Sequence, residues 1–212
     1  MIAVSAFKWV PAMVQGQVRD LRVRWALEEA GLKYEALLIG FEDQSTPAYR
    51  RRQPFGQVPA YQEDDLELFE SGAIVMHIAE GSDVLLPREP SARARAITWM
   101  FAALNSMEVV IQPLAEVDLF FSKKEWAPGY RSMLDGRVKT RLKELAAYLG
   151  DKAYLEGEFT AGDLLMTTVL RILGHTEYVK NEPRLAAYQS RCEARPAFQR
   201  ALGAQLASFE KR

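Results

Sequence analysis

The chain has 212 residues, 49% of them apolar and 26% charged, with a formal net charge of −1. This is ordinary globular composition, with room for one large domain or two small ones. The near-zero charge gives no basis for binding nucleic acid or an anionic membrane, and no apolar run approaches the roughly 20 residues that span a bilayer. Met1 leads straight into a strand-like segment, so the chain reads as cytoplasmic. The single cysteine, Cys192, excludes an internal disulfide and any Cys-x-x-Cys pair, and with them thioredoxin-type dithiol chemistry. It reads as small core filler.

Residues 2–7 read as a strand, followed by a loop over 8–16 that contains Pro11. From there to Ala30 the steps of Val18, Leu21 and Trp25 predict a helix, with Gly31 ending it. Residues 34–39 are a second strand, and 45–52 a short helix with Pro47 in its first turn, stopped before Pro54. Val58-Pro59-Ala60-Tyr61 is a short apolar strand that tolerates proline at its start. Gln62-Glu63-Asp64-Asp65 is a polar turn, and Leu66-Glu67-Leu68-Phe69 alternates as a half-buried strand does. Glu70-Ser71-Gly72 then precedes Ala73, Ile74 and Ile78, a stripe at helical spacing. The βαβ unit implies a parallel pair and the acidic turn an antiparallel hairpin, so the sheet should be mixed.

Residues 82–90 carry Pro87 and Pro90 without periodicity and read as a linker. Beyond it the strand signals stop. One long helix starts near Ser91 with a stripe of Ile97, Phe101, Leu104 and Ile111, and Trp126-Ala127-Pro128-Gly129 breaks the pattern. Leu134, Val138, Leu142, Leu145 and Leu149 line a second helix. Residues 164–170 hold no charge, which predicts a helix buried on every side, and Thr160-Ala161-Gly162-Asp163 before it is spaced as a capping box. Two further helices, over 183–191 and 196–209, finish the chain. The expected organisation is a mixed α/β domain over 1–81 and an all-α helical bundle over 91–212.

The stretch 55–80, with Val58-Pro59 before a hairpin and Glu70-Ser71 after it, resembles the second half of the glutathione-binding domain of cytosolic glutathione transferases. The likeness is taken as one to a bacterial-type member, with no class assigned. The element order of the first half resembles a thioredoxin-like domain with a four-stranded sheet, and the capped helix after Thr160 resembles that family's helical C-terminal domain. The resemblance covers essentially the whole chain. It implies a cis Val58-Pro59 bond, with the Val58 backbone pairing with the cysteinyl unit of glutathione. Glu70 and Ser71 would hold the γ-glutamyl end, Glu70 taking the ammonium, and the Ser71 hydroxyl and helix N–H groups the α-carboxylate. Gln57 would bond the peptide backbone of glutathione, and Arg50, in the run Arg50-Arg51-Arg52, would attract the glycyl carboxylate. Taken alone, Ser71 is a helix cap and Pro59 a strand edge. Their spacing around one hairpin is what points to a site.

In active members a Tyr, Ser or Cys near the first helix serves the thiol. The matching segment here, Gln15-Gly16-Gln17-Val18-Arg19, holds no hydroxyl and no thiol. The remaining candidates are the N–H groups at the helix start, the Gln17 amide and the Arg19 charge. Trp9 is the candidate contact for a small hydrophobic electrophile, with Met107 and Ile111 facing it, although both also read as core at helical spacing. Ser5 lies inside the first strand and reads as buried. His77 and His175, the only histidines, lack the Cys or carboxylate spacing of a metal site, so no metal is expected. The implied function is conjugation of the glutathione thiol to small electrophiles, or a related reduction or isomerisation, by a homodimer. The alternative is a glutathione-binding or partner-binding module that has lost catalysis.

Overall fold

A computed structural model describes residues 1–209, and the end of the expected helical domain, 210–212, lies outside them. By compactness the chain forms two units, Met1–Leu86 together with the segment from Arg195 onward, and Pro87–Ala194.

The first unit holds β1 (Ile2–Phe7), α1 (Asp20–Ala30), β2 (Tyr34–Ile39), α2 (Pro47–Arg52), β3 (Tyr61–Glu63), β4 (Leu66–Leu68) and α3 (Ser71–Glu80). The strands form one mixed sheet in the order β2-β1-β3-β4. β1 runs parallel to β2, from Ile2 opposite Tyr34 to Phe7 opposite Ile39, while β3 is antiparallel to both β1 and β4. This is the thioredoxin-like arrangement expected. α1 starts at Asp20, later than the periodicity suggests, because residues 12–14 form a 3-10 turn and Gly16 takes φ +75°. Gly31 ends it in the left-handed conformation. α2 has Thr46 as its cap, accepting from the Tyr49 N–H, and Pro47 in its first turn.

The hairpin differs from the sequence expectation. β3 begins at Tyr61, not Val58, and the turn shrinks to Asp64-Asp65, with Gln62 and Glu63 taken into the ladder. The cause is Ser5, whose hydroxyl accepts the Ala60 N–H at 2.7 Å, and Pro59 has no N–H to give.

The last helix, α9 (Pro196–Ala207), belongs to the first unit rather than to the helical one in which sequence order placed it. It packs on α1 through Trp25 and Phe198, whose ring centroids are 4.8 Å apart, and through a bidentate pair from Arg195 to Glu29 at 2.6 and 2.8 Å. The Gln205 amide donates to Asp20 at 2.7 Å, and Asp20 is also ion-paired with Arg24 at 2.7 Å. Burial pushes the Asp20 carboxyl up to about 6 despite both partners. Because the folded value lies above the unfolded one, this group's contribution to stability is full below about pH 4 and is lost as pH rises through 6. Asp20→Asn removes that dependence. Between pH 4 and 7 the wild type should lose roughly 1–3 kcal/mol relative to the variant in urea unfolding. Parallel stability curves for the two proteins would refute it.

The second unit contains α4 (Pro90–Ala102), α5 (Val109–Glu116), α6 (Ala127–Leu149), α7 (Ala161–Arg171) and α8 (Pro183–Glu193). Glu89 caps α4, accepting from Ser91 and Ala92 N–H at 2.8 and 2.6 Å. The single long helix expected after it is interrupted by π-helical turns at Ala103–Glu108 and Val117–Phe121. The buried stripe is therefore Ala96, Met100, Ala103, Met107, Ile111 and Leu114, whereas Phe101 is 61% exposed. α6 begins at the expected break, since Pro128 in a first turn forfeits no helical hydrogen bond, and it buries Leu134, Val138, Leu142, Leu145 and Leu149. α7 is buried along its whole length to Leu170 and carries the Thr160–Asp163 capping box. It lies so close to α4 that a Cβ on Gly162 would come within 2.6 Å of the Trp99 Cβ. Cys192 is buried, as expected.

Candidate functional site

The site forms in the first unit, where α2 and the turn before β3 meet β1 through Ser5, and where the register of β3 on β4 sets that turn opposite the start of α3. The Val58-Pro59 peptide is cis. Behind it the Tyr49 hydroxyl donates to the Gln57 carbonyl at 2.6 Å. The Ser5 hydroxyl lies 2.8 Å from the Tyr49 oxygen and, with the Tyr49 proton committed, is the donor of that pair. Burial pushes the Tyr49 phenol up. Ser5, Tyr49 and Gln57 thus brace the turn from below, and Ser5 is a structural residue as its place in the strand implies. Among the described residues nothing hydrogen-bonds the Val58 N–H or C=O, so this backbone is open to an added extended chain.

Gly56 supports the same turn at φ +63°, where a Cβ would sit 2.7 Å from the Gln44 carbonyl oxygen and 2.7 Å from the Arg50 guanidinium carbon. Arg50 lies over it and donates to the Pro54 carbonyl at 2.7 Å. Arg52 pairs with Glu67 at 3.0 Å, and Arg51 is exposed. Gln57 is exposed beside them.

Glu70 and Ser71 open α3. Glu70 has φ +67° and ψ 110°, a conformation that side-chain-bearing residues rarely adopt and that costs of order 1–3 kcal/mol. Its carboxylate is exposed and makes no hydrogen bond or ion pair among the described residues. Ile74 is the first residue of α3 whose N–H reaches a carbonyl, that of Glu70, which leaves the Ser71, Gly72 and Ala73 N–H groups pointing out of the helix start. Ser71 is buried, and its oxygen accepts from Arg22 at 3.2 Å. Arg22 is a buried α1 residue that periodicity gives no reason to single out. One acid, three amides and a hydroxyl on a short arc suit the ammonium and carboxylate of an amino-acid end group.

The thiol-serving candidates lie at the approach to α1. The Gln17 amide turns back to the Met13 carbonyl at 3.4 Å, and the Gln15 amide to that of Val10 at 3.3 Å. The N–H groups of Leu21 and Arg22 are already taken by the Val18 and Arg19 carbonyls, so the helix start offers fewer donors than its sequence suggests. Trp9 is half-buried with its ring edge-on to Phe41 at 6.2 Å. Met107 and Ile111 are buried at 4% and 0% exposure in helical turns that pack on α7 and α6, which leaves little of either side chain for a ligand. A cavity of about 700 Å³ in the second unit is lined by Asp118, Arg131, Lys139, Lys143, His175 and Tyr178 among others, a charged wall that includes none of these three. His77 faces Glu63 at 3.3 Å and the Tyr61 ring. Among the described residues no group of His, Cys, Asp or Glu is arranged to hold a metal ion, and no helix is long and apolar enough to cross a membrane.

A family model described as glutathione S-transferase, N-terminal domain, matches residues 13–80, a span that includes all of the Gln57-to-Ser71 arc. Glutathione S-transferase 1 of Zea mays is 31% identical over 190 residues, covering 84% of this chain and 88% of its own. The chain belongs to the glutathione S-transferase family. Glutathione S-transferase F11 of Arabidopsis thaliana is 30% identical over 215 residues, covering 92% and 98%. Among solved structures, a glutathione transferase family member from Pseudomonas fluorescens pf-5 with two glutathione bound superposes with a TM-score of 0.83 at 26% identity, covering 95% of this chain and 92% of that one. The bacterial-type likeness taken from the sequence is not borne out, since the sequence relatives named are plant glutathione S-transferases.

Proposed function

We propose that the protein is a glutathione transferase that binds reduced glutathione along Gln57, Val58 and Pro59 and at Glu70 and Ser71, with Arg50 drawing the glycyl carboxylate. The observation that carries the reading is that, among the described residues, the Val58 backbone, the N–H groups at the start of α3 and the Glu70 carboxylate at its edge are all without hydrogen-bond partners. Supporting it are relatives named glutathione S-transferases and a solved neighbour holding glutathione.

The reaction is attack of the glutathione sulfur on a small hydrophobic electrophile. The S–C bond forms, the leaving group departs with its electron pair, and the thiol proton goes to solvent. A thiol with pKa near 8.5 is only about 3% ionised at pH 7, so stabilising the anion gains at most roughly thirtyfold and positioning supplies the rest. In the absence of a hydroxyl at 15–19, the second amide hydrogen of Gln17 and the Arg19 guanidinium take the anion-stabilising role, and Trp9 the electrophile contact. The working form is a cytoplasmic homodimer whose first domain, over 1–81, is joined by 82–90 to a helical domain that begins at 91.

Calorimetry with millimolar reduced glutathione should give a heat of association, and the bound thiol, followed by thiolate absorbance, should ionise below pH 8. No heat refutes glutathione binding. Heat with an unshifted thiol and no turnover of an aryl halide would favour the non-catalytic module.

A further inference from the structure

We infer that Arg22 is a positioning residue of the carboxylate-binding corner, acting through Ser71. The inference rests on reading that corner as the γ-glutamyl site. A serine hydroxyl has one proton to give and two lone pairs to fill, and it rotates to suit its neighbours. Left alone at a helix start, the Ser71 hydroxyl would be free to turn its proton away from an incoming carboxylate and toward any nearby acceptor. Arg22 removes that freedom. Its guanidinium is donor-only and is held at 3.2 Å from the Ser71 oxygen. It occupies a lone pair, so the proton is kept from turning toward Arg22, and among the described residues nothing else accepts it.

The arrangement cannot drift, because both partners are buried and sit on rigid helices. Arg22 is 3% exposed on α1, Ser71 is 6% exposed at the first residue of α3, and α1 packs against α3. The Ser71 hydroxyl therefore joins the Ser71, Gly72 and Ala73 N–H groups as a fourth donor aimed outward, fixed before the ligand arrives. Preorganisation of this kind raises affinity by removing an ordering cost that binding would otherwise carry. A guanidinium behind the hydroxyl also polarises it, which strengthens its hydrogen bond to an anion.

The test is a cycle of Arg22→Gln, Ser71→Ala and the double variant. It uses reduced glutathione and its analogue without the γ-glutamyl α-carboxylate, γ-aminobutyryl-cysteinyl-glycine. Arg22→Gln should weaken glutathione about tenfold in the wild-type background and less than about twofold in the Ser71→Ala background. It should leave the affinity of the analogue unchanged. Raising KM for glutathione with kcat held is the matching kinetic result. Thermal melts report whether each variant folds. If Arg22→Gln does not fold, Arg22→Lys, which keeps a charge and one donor at that place, enters the same cycle with a loss of about threefold expected. Equal losses in both backgrounds, equal losses for both ligands, or no loss at all overturns the role of Arg22. A wild type that binds glutathione and the analogue equally well overturns the γ-glutamyl assignment itself, and that result is read before any variant is made.

Discussion

Replacing Asp163 with alanine should lower stability by about 3–5 kcal/mol. The carboxylate is buried and takes four hydrogen bonds. One oxygen accepts from the Leu155 N–H at 2.9 Å and the Tyr188 hydroxyl at 2.9 Å. The other accepts from the Thr160 N–H at 3.0 Å and the Thr160 hydroxyl at 3.2 Å. Alanine would strand two buried backbone donors and a phenol with no water to replace the lost acceptor. Asparagine should be nearly as damaging. Each oxygen faces a backbone N–H, so whichever way the amide is turned, its NH2 meets a donor. Glutamate would keep the charge but not the reach. For a chain of this size the alanine variant should melt roughly 10 °C lower. A fall of less than about 3 °C, or an asparagine variant close to wild type, would show that the capping box is not what holds α7 in place.

The capping box was legible because its chemistry is local: Thr160 and Asp163 stand three residues apart ahead of an uncharged run. β1 and β2 were legible for the same reason, each a short, largely apolar run, β2 set between Gly31 and Gly40. The stripe of α4 was not. A π turn adds a residue to one helical turn without marking the sequence, and it moved burial from Ile97, Phe101 and Leu104 to Ala96, Met100 and Ala103. The start of β3 depended on the Ser5 hydroxyl more than fifty residues away, and the docking of α9 on an ion pair between Arg195 and Glu29. Neither pairing has a local signature. The candidate site divides along the same line. The bend at Val58-Pro59 and the helix start at Glu70-Ser71 could be found from their spacing, because each is set by its own short segment. Arg22 could not, because a charged residue in a helix reads as solvated until α1 is packed on α3.

Glu70→Ala combined with Ser71→Ala should weaken reduced glutathione by about 3 kcal/mol or more, over a hundredfold in Kd, since charge-assisted contacts contribute about 1.5–3 kcal/mol each. The loss should be unequal. Ser71→Ala keeps the three N–H groups of the α3 start, so the α-carboxylate retains most of its donors, whereas Glu70→Ala leaves the ammonium with no acid. The backbone of Glu70 makes a second variant informative. At φ +67° a residue with a Cβ is strained and glycine is not. Glu70→Gly should therefore raise thermal stability by about 1 kcal/mol relative to Glu70→Ala while binding glutathione no better than the alanine variant. Stability would then rise at this position with no gain in affinity, as happens where strain is kept to aim a side chain. Affinity within about twofold of wild type in the double variant would mean that the acid and the hydroxyl at the head of α3 hold no ligand.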